Sequence, residues 1–311
     1  MSNEMVDPAI QPPVGPDTTA ARITEKRLSK WTLYSRRFAR NRPAVGGVVI
    51  FILLVLFSIV VPLISRYTIG DMDFLNLSTG PSSEHWFGTN ASGNDTFTQT
   101  AVGLQRSLMI AITVSIGVTV ISALVGTAAA YFGGWTERIA LLVIHFMMVV
   151  PNFLILALIS NKAGGDWRVI SLIMIFVVGW FFPARVIWTM ALSLREREYV
   201  QAARYMGVRG FRIVLRHMLP NIGSLLVVNF TLGIVNAVMA ETGLSFLGFG
   251  VKIPDVSLGS LIGEGSSSIV TTPWLFYFPA LALTLLTVSM SLIADGLRDA
   301  LDPTSAAGGR A

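Results

Sequence analysis

Long apolar runs alternate with polar segments along most of the chain. Six of these runs are about 20 residues or longer, which is the length an α-helix needs to cross the hydrocarbon core of a bilayer. The pattern therefore predicts an all-α polytopic membrane protein with six transmembrane helices, over Ala44–Ile64, Leu104–Phe132, Ile139–Ile159, Val169–Leu192, Ile222–Ala240 and Trp274–Ala294.

The predicted helices divide the chain into four parts. Residues 1–42 form a polar N-terminal tail that is basic near the membrane and whose start is expected to be disordered. Residues 43–103 hold the first helix and a polar segment, and residues 104–297 hold the other five helices. Residues 298–311 form a C-terminal tail.

Composition agrees with a membrane protein and excludes several kinds of chemical site. Of the 311 residues, 53% are hydrophobic and only 13% are charged, whereas soluble proteins carry about 25% charged residues. The absence of cysteine excludes disulfides, thiolate metal sites and cysteine nucleophiles. The three histidines lie far apart in the sequence, so a histidine-based metal site is not expected.

The basic residues predict how the helices are oriented. Seventeen of the 23 Lys and Arg residues fall on the side that holds both termini, five fall on the other side, and Arg185 lies within the fourth helix. Because cytoplasmic loops carry the excess of positive charge, both termini are predicted to be cytoplasmic, and residues 66–103 and 246–272 to face outside. The net charge of +5 therefore reflects topology and does not indicate nucleic acid binding.

The second predicted helix carries a stripe of small residues at intervals of three or four. Such a stripe lets helix backbones approach closely, so it should face other helices and not lipid. Its members are Ser107, Ala111, Ser115, Thr119, Ser122, Gly126 and Ala130. Pro151, Pro183 and Pro279 each remove a backbone donor within a span and predict local bends.

Few ionisable residues lie at membrane depth: His145, Arg185 and Glu241. We interpret His145 as a neutral imidazole bonded to a neighbouring helix, and Arg185 as close enough to the cytoplasmic end to extend towards it. Glu241, at the outer end of the fifth helix, is a candidate gate residue or a hydrogen-bonding residue in the turn that follows. A bundle with so few charges at membrane depth lacks the fixed charge that selection of one ion would need.

Energy for active transport has no evident source within this chain. The predicted spans show neither the internal repeat nor the mid-membrane carboxylates that are typical of ion-coupled transporters. The sequence also has no phosphate-binding loop of the P-loop type. If transport is energised, the energy must enter from another chain.

The loop between the fourth and fifth helices, residues 193–221, reads as two short basic helices separated by a glycine. Gly207 suits a left-handed helix stop, and Pro220 suits the start of the next span. Ala202 and Ala203 could give another protein a flat surface to approach. The alternative interpretation is an ordinary basic loop that only fixes the topology, because such a loop has the same composition.

This loop resembles the EAA motif of ABC-importer permease subunits, in which it contacts the ATPase. The residues that match in type and spacing are Gln201, Ala202, Ala203, Gly207, Leu219 and Pro220. Two positions depart from the motif, because Gln201 stands where glutamate is usual and His217 where an apolar residue is frequent. The resemblance implies that the six matching residues couple this chain to an ATPase through a cytoplasmic coupling helix.

Other segments resemble the C-type permease subunit of the dipeptide/oligopeptide ABC-transporter family. They are Arg37–Arg42, His85–Thr89, Leu244–Gly248, Pro273–Trp274 and Asp295–Pro303. The resemblance implies that this chain forms half of a path through which an ATP-driven importer moves peptides across a prokaryotic cytoplasmic (inner) membrane. Import of a nickel chelate or another small solute is the alternative within the family, and a self-sufficient channel or membrane receptor is the alternative outside it.

The resemblance also implies which molecules this chain contacts. They are the lipid bilayer, a homologous B-type permease subunit, one fused or two separate ATPase chains, and an extracytoplasmic peptide-binding protein. ATP and Mg²⁺ would be bound by the ATPase. We therefore expect no catalytic residue, no cofactor and no metal site in this chain, which is not an enzyme on its own.

Overall fold

The computed structural model describes residues 30–160, 164–177 and 179–301, and these ranges are helical apart from turns, loops and an isolated bridge between Thr89 and Asp95. The early tail that was expected to be disordered lies outside the described residues. The helices are α1 (Lys30–Arg40), α2 (Arg42–Ile64), α3 (Thr96–Phe132), α4 (Gly134–Val149), α5 (Asn152–Ser160), α6 (Trp167–Val177), α7 (Phe181–Arg195), α8 (Glu198–Tyr205), α9 (Gly210–Ile213), α10 (Gly223–Phe246), α11 (Leu258–Ser267) and α12 (Trp274–Leu301). A π-helical turn, Val214–Met218, and a 3-10 turn, Leu219–Ile222, connect α9 to α10.

Four helical stretches in the described ranges are each long and apolar enough to cross a membrane: α2, α3, Gly210–Phe246 and α12. The third and fourth predicted spans are instead bent pairs, with 82° between α4 and α5 and 42° between α6 and α7. Six spans result if each pair is counted as one. Pro151 lies in the break between α4 and α5, where the missing backbone donor predicted a bend.

The central helix is α3, which contacts α2, α4, α6, α7, α10 and α11. It begins at Thr96, several residues before the predicted start, because the Asp95 side chain accepts a hydrogen bond from the Thr98 N–H at 2.8 Å. A capping carboxylate satisfies a donor that the first turn of a helix leaves unpaired. The predicted boundary between residues 103 and 104 therefore falls inside α3.

The stripe of small residues on α3 faces other helices, which confirms that prediction. Six of its seven members are buried and Thr119 is half-buried. At Gly126 the backbone of α7 comes so close that an added Cβ would lie 2.5 Å from the Ala184 carbonyl oxygen. Small residues allow this approach of two helix backbones.

The two ends of the helix bundle are built from different segments. At one end, residues 193–221 pack beside the last turn of α3, with Gly210 against Tyr131. At the other end, the segment between α2 and α3 contacts α11 and the start of α12. There Trp274 Nε1 donates to the Thr89 carbonyl at 3.1 Å.

Candidate functional site

A cavity of about 310 Å³ lies between α3, α6, α7 and α10, near the middle of α3 and α10. Hydroxyl and amide groups stand among its apolar wall residues, and none of the described residues that line it is ionisable. The polar members of the lining are Ser115, Thr119, Ser122, Asn229 and Asn236. Three of them belong to the small-residue stripe, so one face of α3 both packs against helices and borders the cavity.

Two amides on α10 give the cavity its hydrogen-bonding capacity. Asn229 and Asn236 lie two helical turns apart and therefore share one face of the helix. The Asn229 Nδ2 atom is buried and has no hydrogen-bond partner in the part of the chain that the structure describes. An amide can both donate and accept, so it can bind a peptide group in either direction.

The loop of residues 193–221 folds into short helices at one end of the bundle. Its first helix, α8, ends at Tyr205, and Gly207 has φ +75°, the left-handed conformation predicted from the sequence. Gln201 Nε2 donates to the Arg195 carbonyl at 3.1 Å. This bond connects α8 to the end of α7. The glutamine that stands where the motif usually has glutamate therefore forms a hydrogen bond within its own chain.

Ala202 and Ala203 face in different directions, because successive residues on a helix are separated by about 100°. Ala202 is exposed, whereas Ala203 is buried in a cluster that includes Ala130 of α3 and Ile213 of α9. The small side chain of Ala203 therefore lets the loop pack against its own chain. Of the two alanines, Ala202 is the one that is accessible at the surface of this chain.

Large apolar side chains near Ala202 are also exposed, and the motif residues predicted from the sequence do not include them. Tyr205 is 86% exposed and Met206 is 75% exposed, and Phe211 at the start of the next helix is exposed as well. Exposed apolar groups in a cluster indicate an interaction surface. The sequence signal is the presence of large apolar residues on both sides of the Gly207 turn in an otherwise basic loop.

The last two residues of the motif begin the 3-10 turn Leu219–Ile222. Leu219 is half-buried and packs against the cluster that contains Ala203. Pro220 is exposed and lines a groove with Tyr34 and Phe38 of α1. The structure thus gathers the motif at one end of the bundle but divides it into inward-facing and exposed residues.

Glu241 is fully buried near the end of α10, and its neighbour Ala240, not Glu241, lines the cavity. Its carboxylate accepts hydrogen bonds from Ser245 at 2.6 Å and from Ser107 of α3 at 3.2 Å. The Ser107 hydroxyl also accepts a hydrogen bond from the Leu258 N–H at 3.1 Å. One carboxylate therefore connects α10, α3 and the first turn of α11.

Ser245 extends this network into the loop between α10 and α11. Its hydroxyl oxygen accepts from the Val251 N–H at 3.1 Å and from the Ser257 hydroxyl at 3.3 Å. Because a hydroxyl has one hydrogen, these bonds leave the Ser245 hydrogen for Glu241. The arrangement agrees with the second interpretation of Glu241, as a hydrogen-bonding residue for the turn that follows.

His145 and Arg185 are exposed on the surface of the isolated chain, on α4 and α7. The buried residue of α4 beside His145 is Ile144, so the imidazole is directed away from the packed face. Within the described residues no hydrogen bond joins His145 to a neighbouring helix. The structure therefore does not support the predicted bond within this chain.

The segment between α2 and α3 folds around the buried side chain of His85. Its Nδ1 lies 3.0 Å from Asp95 Oδ1, and its Nε2 lies 3.4 Å from Asp73 Oδ2. Hydrogen bonds from the Asn76 amide and the Leu75 N–H hold the pKa of Asp73 below its usual range. Because Asp95 also caps α3, His85 attaches this segment to the central helix.

The described residues contain no group of three or more His, Asp or Glu side chains placed to hold a metal ion.

Two family models match this chain and identify its family. Residues 119–306 match the family model described as binding-protein-dependent transport system inner membrane component. Residues 29–81 match the model of the N-terminal TM domain of oligopeptide transport permease C. The chain belongs to this permease family. The permease is therefore a multi-pass inner-membrane component of a binding-protein-dependent transport system, as the sequence resemblance implied.

Named relatives cover nearly all of the permease. The oligopeptide transport system permease protein OppC of Mycobacterium tuberculosis (strain H37Rv) is 43% identical over 278 residues, which are 89% of this chain and 96% of the relative. OppC of Bacillus subtilis (strain 168) is 32% identical over 91% of this chain and 93% of its own length. A putative peptide permease protein of Brucella suis is 37% identical over 86% of this chain and 89% of its own.

Proposed function

We propose that this permease forms one half of a peptide translocation path and that the cavity between α3, α6, α7 and α10 is part of that path. The observation that carries the proposal is the lining of the cavity, which has polar hydroxyl and amide groups and no ionisable residue among those described. The names of the relatives favour peptides over a nickel chelate or another small solute.

A neutral polar wall suits a substrate whose side chains vary and whose backbone does not. The amides of Asn229 and Asn236 and the hydroxyl of Thr119 can exchange hydrogen bonds with peptide groups. Because the described residues of the wall carry no charge, acidic and basic peptides meet the same surface. Weak and exchangeable contacts also favour release, which transport requires. In this proposal the chain moves substrate and catalyses no covalent step.

The exposed surface of the 193–221 loop is the proposed contact with the ATPase. Ala202, Tyr205 and Met206 form its accessible part, while Gln201, Ala203 and Leu219 hold it to the rest of the chain.

ATP and Mg²⁺ would be held by one fused or two separate ATPase chains. A homologous B-type permease would complete the path, and a peptide-binding protein would deliver substrate at the end opposite this loop. Both termini would be cytoplasmic, as the charge distribution predicts.

The proposal is tested by Gly207→Asp, measured as ATP-dependent uptake of a labelled tripeptide at equal membrane level. Gly207 has φ +75°, and nothing lies within 4 Å of the position that a Cβ would take, so the substitution distorts the turn without colliding with a neighbour. We expect uptake to be lost while the permease still copurifies with its B-type partner.

The matched control is Gly134→Asp. Gly134 also has a positive φ, +56°, with open space around it, and as the first residue of α4 it lies on the same predicted side of the membrane. The control should retain most of its uptake, because the strain is similar but lies outside the 193–221 loop. Wild-type uptake in Gly207→Asp, or conduction by the permease without an ATPase, would contradict the proposed function.

A further inference from the structure

The helix α1 is a basic helix that directly precedes the first membrane-spanning helix. Between residues 30 and 42 the chain carries five Lys or Arg residues and no Asp or Glu. One residue, Asn41, separates α1 from α2, and its extended backbone, with ψ 96°, interrupts the helix there. A basic segment fixes topology by its charge and does not have to fold to do so. The folded position of α1 therefore indicates what else it contacts.

Contacts with α12 place α1 at the level of the lipid headgroups. A Cβ added at Gly296 would lie 3.1 Å from Cε2 of Phe38, so the Phe38 ring lies against the backbone of α12. The Asn41 amide donates to Asp299 at 3.3 Å. Gly296 comes two residues after the predicted end of the sixth span at Ala294, which is about 3 Å along a helix. The helix α1 therefore lies where the hydrocarbon core ends and the headgroups begin.

The two sides of α1 differ in chemistry. Tyr34 and Phe38, four residues apart, share the side that faces α12 and the start of α10. Leu33, Arg36 and Arg40 share another side, and all three are exposed. The rotation of about 100° per residue puts this second side roughly opposite the first. Within the described part of the chain, neither Arg36 nor Arg40 forms an ion pair.

The exposed side of α1 suits the headgroup of an anionic lipid. The guanidinium groups of Arg36 and Arg40 can each donate two hydrogen bonds to one phosphate group. Leu33 lies on the same side, where it can contact acyl chains, and inorganic phosphate offers no such apolar group. The acidic residues at this end of the bundle, Asp295 and Asp299, belong to α12, which contacts the opposite side of α1. The outward charge of α1 is therefore positive.

We propose that the outward side of α1, formed by Leu33, Arg36 and Arg40, binds anionic phospholipid in the leaflet at the same end as the 193–221 loop. The occupant is a lipid because the site combines exposed positive charge, an exposed apolar side chain and headgroup depth. The inference goes beyond the proposed function, since it requires neither a peptide substrate nor a path through the cavity.

The test measures lipid contact at α1 in the complete transporter, reconstituted in phosphatidylcholine nanodiscs with partner chains that lack reactive cysteines. Ala39→Cys in this cysteine-free chain places a fluorophore at an exposed position next to Arg40. Phosphatidylglycerol that carries a nitroxide near its headgroup quenches the fluorophore on binding, and phosphatidylcholine with the same nitroxide is the neutral reference. The wild-type arginines should give a clear preference for phosphatidylglycerol. Arg36→Gln and Arg40→Gln should each lower that preference about fivefold, and the double variant about 25-fold.

Three controls separate lipid binding from other effects. Arg36→Lys keeps the charge and should keep most of the preference. Arg138→Gln removes an exposed arginine at the same end of the bundle, but from α4, which packs chiefly against α3 and α7. It should leave the preference measured at α1 unchanged. Added inorganic phosphate should not displace the lipid. If one glutamine variant does not accumulate, the other carries the same comparison, because both arginines are exposed.

Equal quenching by the two lipids in the wild-type background, or an equal loss of preference in Arg138→Gln, would overturn the proposal. Quenching by neither lipid in the complete transporter would also contradict it, because a partner chain would then cover α1. Displacement of the lipid by inorganic phosphate would assign the arginines to a free anion instead. Because the readout is lipid contact and not uptake, a wrong substrate leaves this result unaffected.

Discussion

The contact between α3 and α7 yields a quantitative prediction for Gly126→Ala. The added Cβ would lie 2.5 Å from the Ala184 carbonyl oxygen and 3.0 Å from Ile187 Cγ2. Ordinary van der Waals contact begins near 3.4 Å, so the two helices must separate locally by about 1 Å, and a change of rotamer cannot move a backbone oxygen. Inserting one carbon into a packed interface of this kind costs about 1–3 kcal/mol.

The matched control is Gly46→Ala in α2, where nothing lies within 4 Å of the added Cβ. Both substitutions replace a glycine inside a helix and so share the same gain in helix propensity, about 1 kcal/mol. The difference in stability between the two variants therefore measures the cost of the steric clash alone. We expect Gly126→Ala to be less stable than Gly46→Ala by about 1–3 kcal/mol, which corresponds to a midpoint lower by about 2–10 °C.

The assay heats the detergent-solubilised permease complex and measures, by size-exclusion chromatography, the fraction that stays monodisperse. Unfolding of such complexes is commonly irreversible, so the two variants are compared at the same heating rate. An apparent midpoint for Gly126→Ala equal to or above that of Gly46→Ala would refute the reasoning. It would mean that α3 and α7 do not approach as closely as the structure places them.

Two further predictions concern Glu241 and the orientation. Glu241→Gln should keep more than half of the peptide uptake, because the amide retains an acceptor oxygen, whereas Glu241→Leu should lose about 1–3 kcal/mol of stability for each hydroxyl that it leaves unpaired. Equal loss of uptake in both variants, at equal stability, would show that the charge itself is needed. Cysteine at the exposed positions Ser83 or Ser267 should react with an impermeant maleimide in intact cells. Labelling only after lysis would contradict the predicted topology.

Features that repeat along one helix were predictable from the sequence. The stripe on α3 was identified from its spacing of three and four, because residues at these intervals share one face of any α-helix. The left-handed turn at Gly207 and the break at Pro151 follow from the backbone chemistry of those two residues. Membership of the permease family likewise followed from short motifs whose residue types and spacing could be seen in the chain.

Which way a residue faces in a short element was not predictable. Ala202 and Ala203 look equivalent in the motif, yet Ala203 is buried in a cluster that includes Ala130 on α3, more than 70 residues away in the chain. The eight-residue helix α8 has too few turns to show a hydrophobic face by periodicity. The exposure of Tyr205 and Met206 follows from the same packing, so this exposed apolar surface became visible only with the fold.

Contacts between distant residues depended entirely on the packing of the helices. Glu241 was recognised as unusual because a carboxylate at membrane depth is costly, but its bond to Ser107 spans 134 positions. An ion pair between Arg106 of α3 and Asp255, in the loop between α10 and α11, spans 149 positions, and neither residue has a local signal that indicates the other. Local spacing specifies which face of a helix is small, apolar or polar. The angles and distances between helices decide which faces meet, and these arise from all the interhelical contacts together.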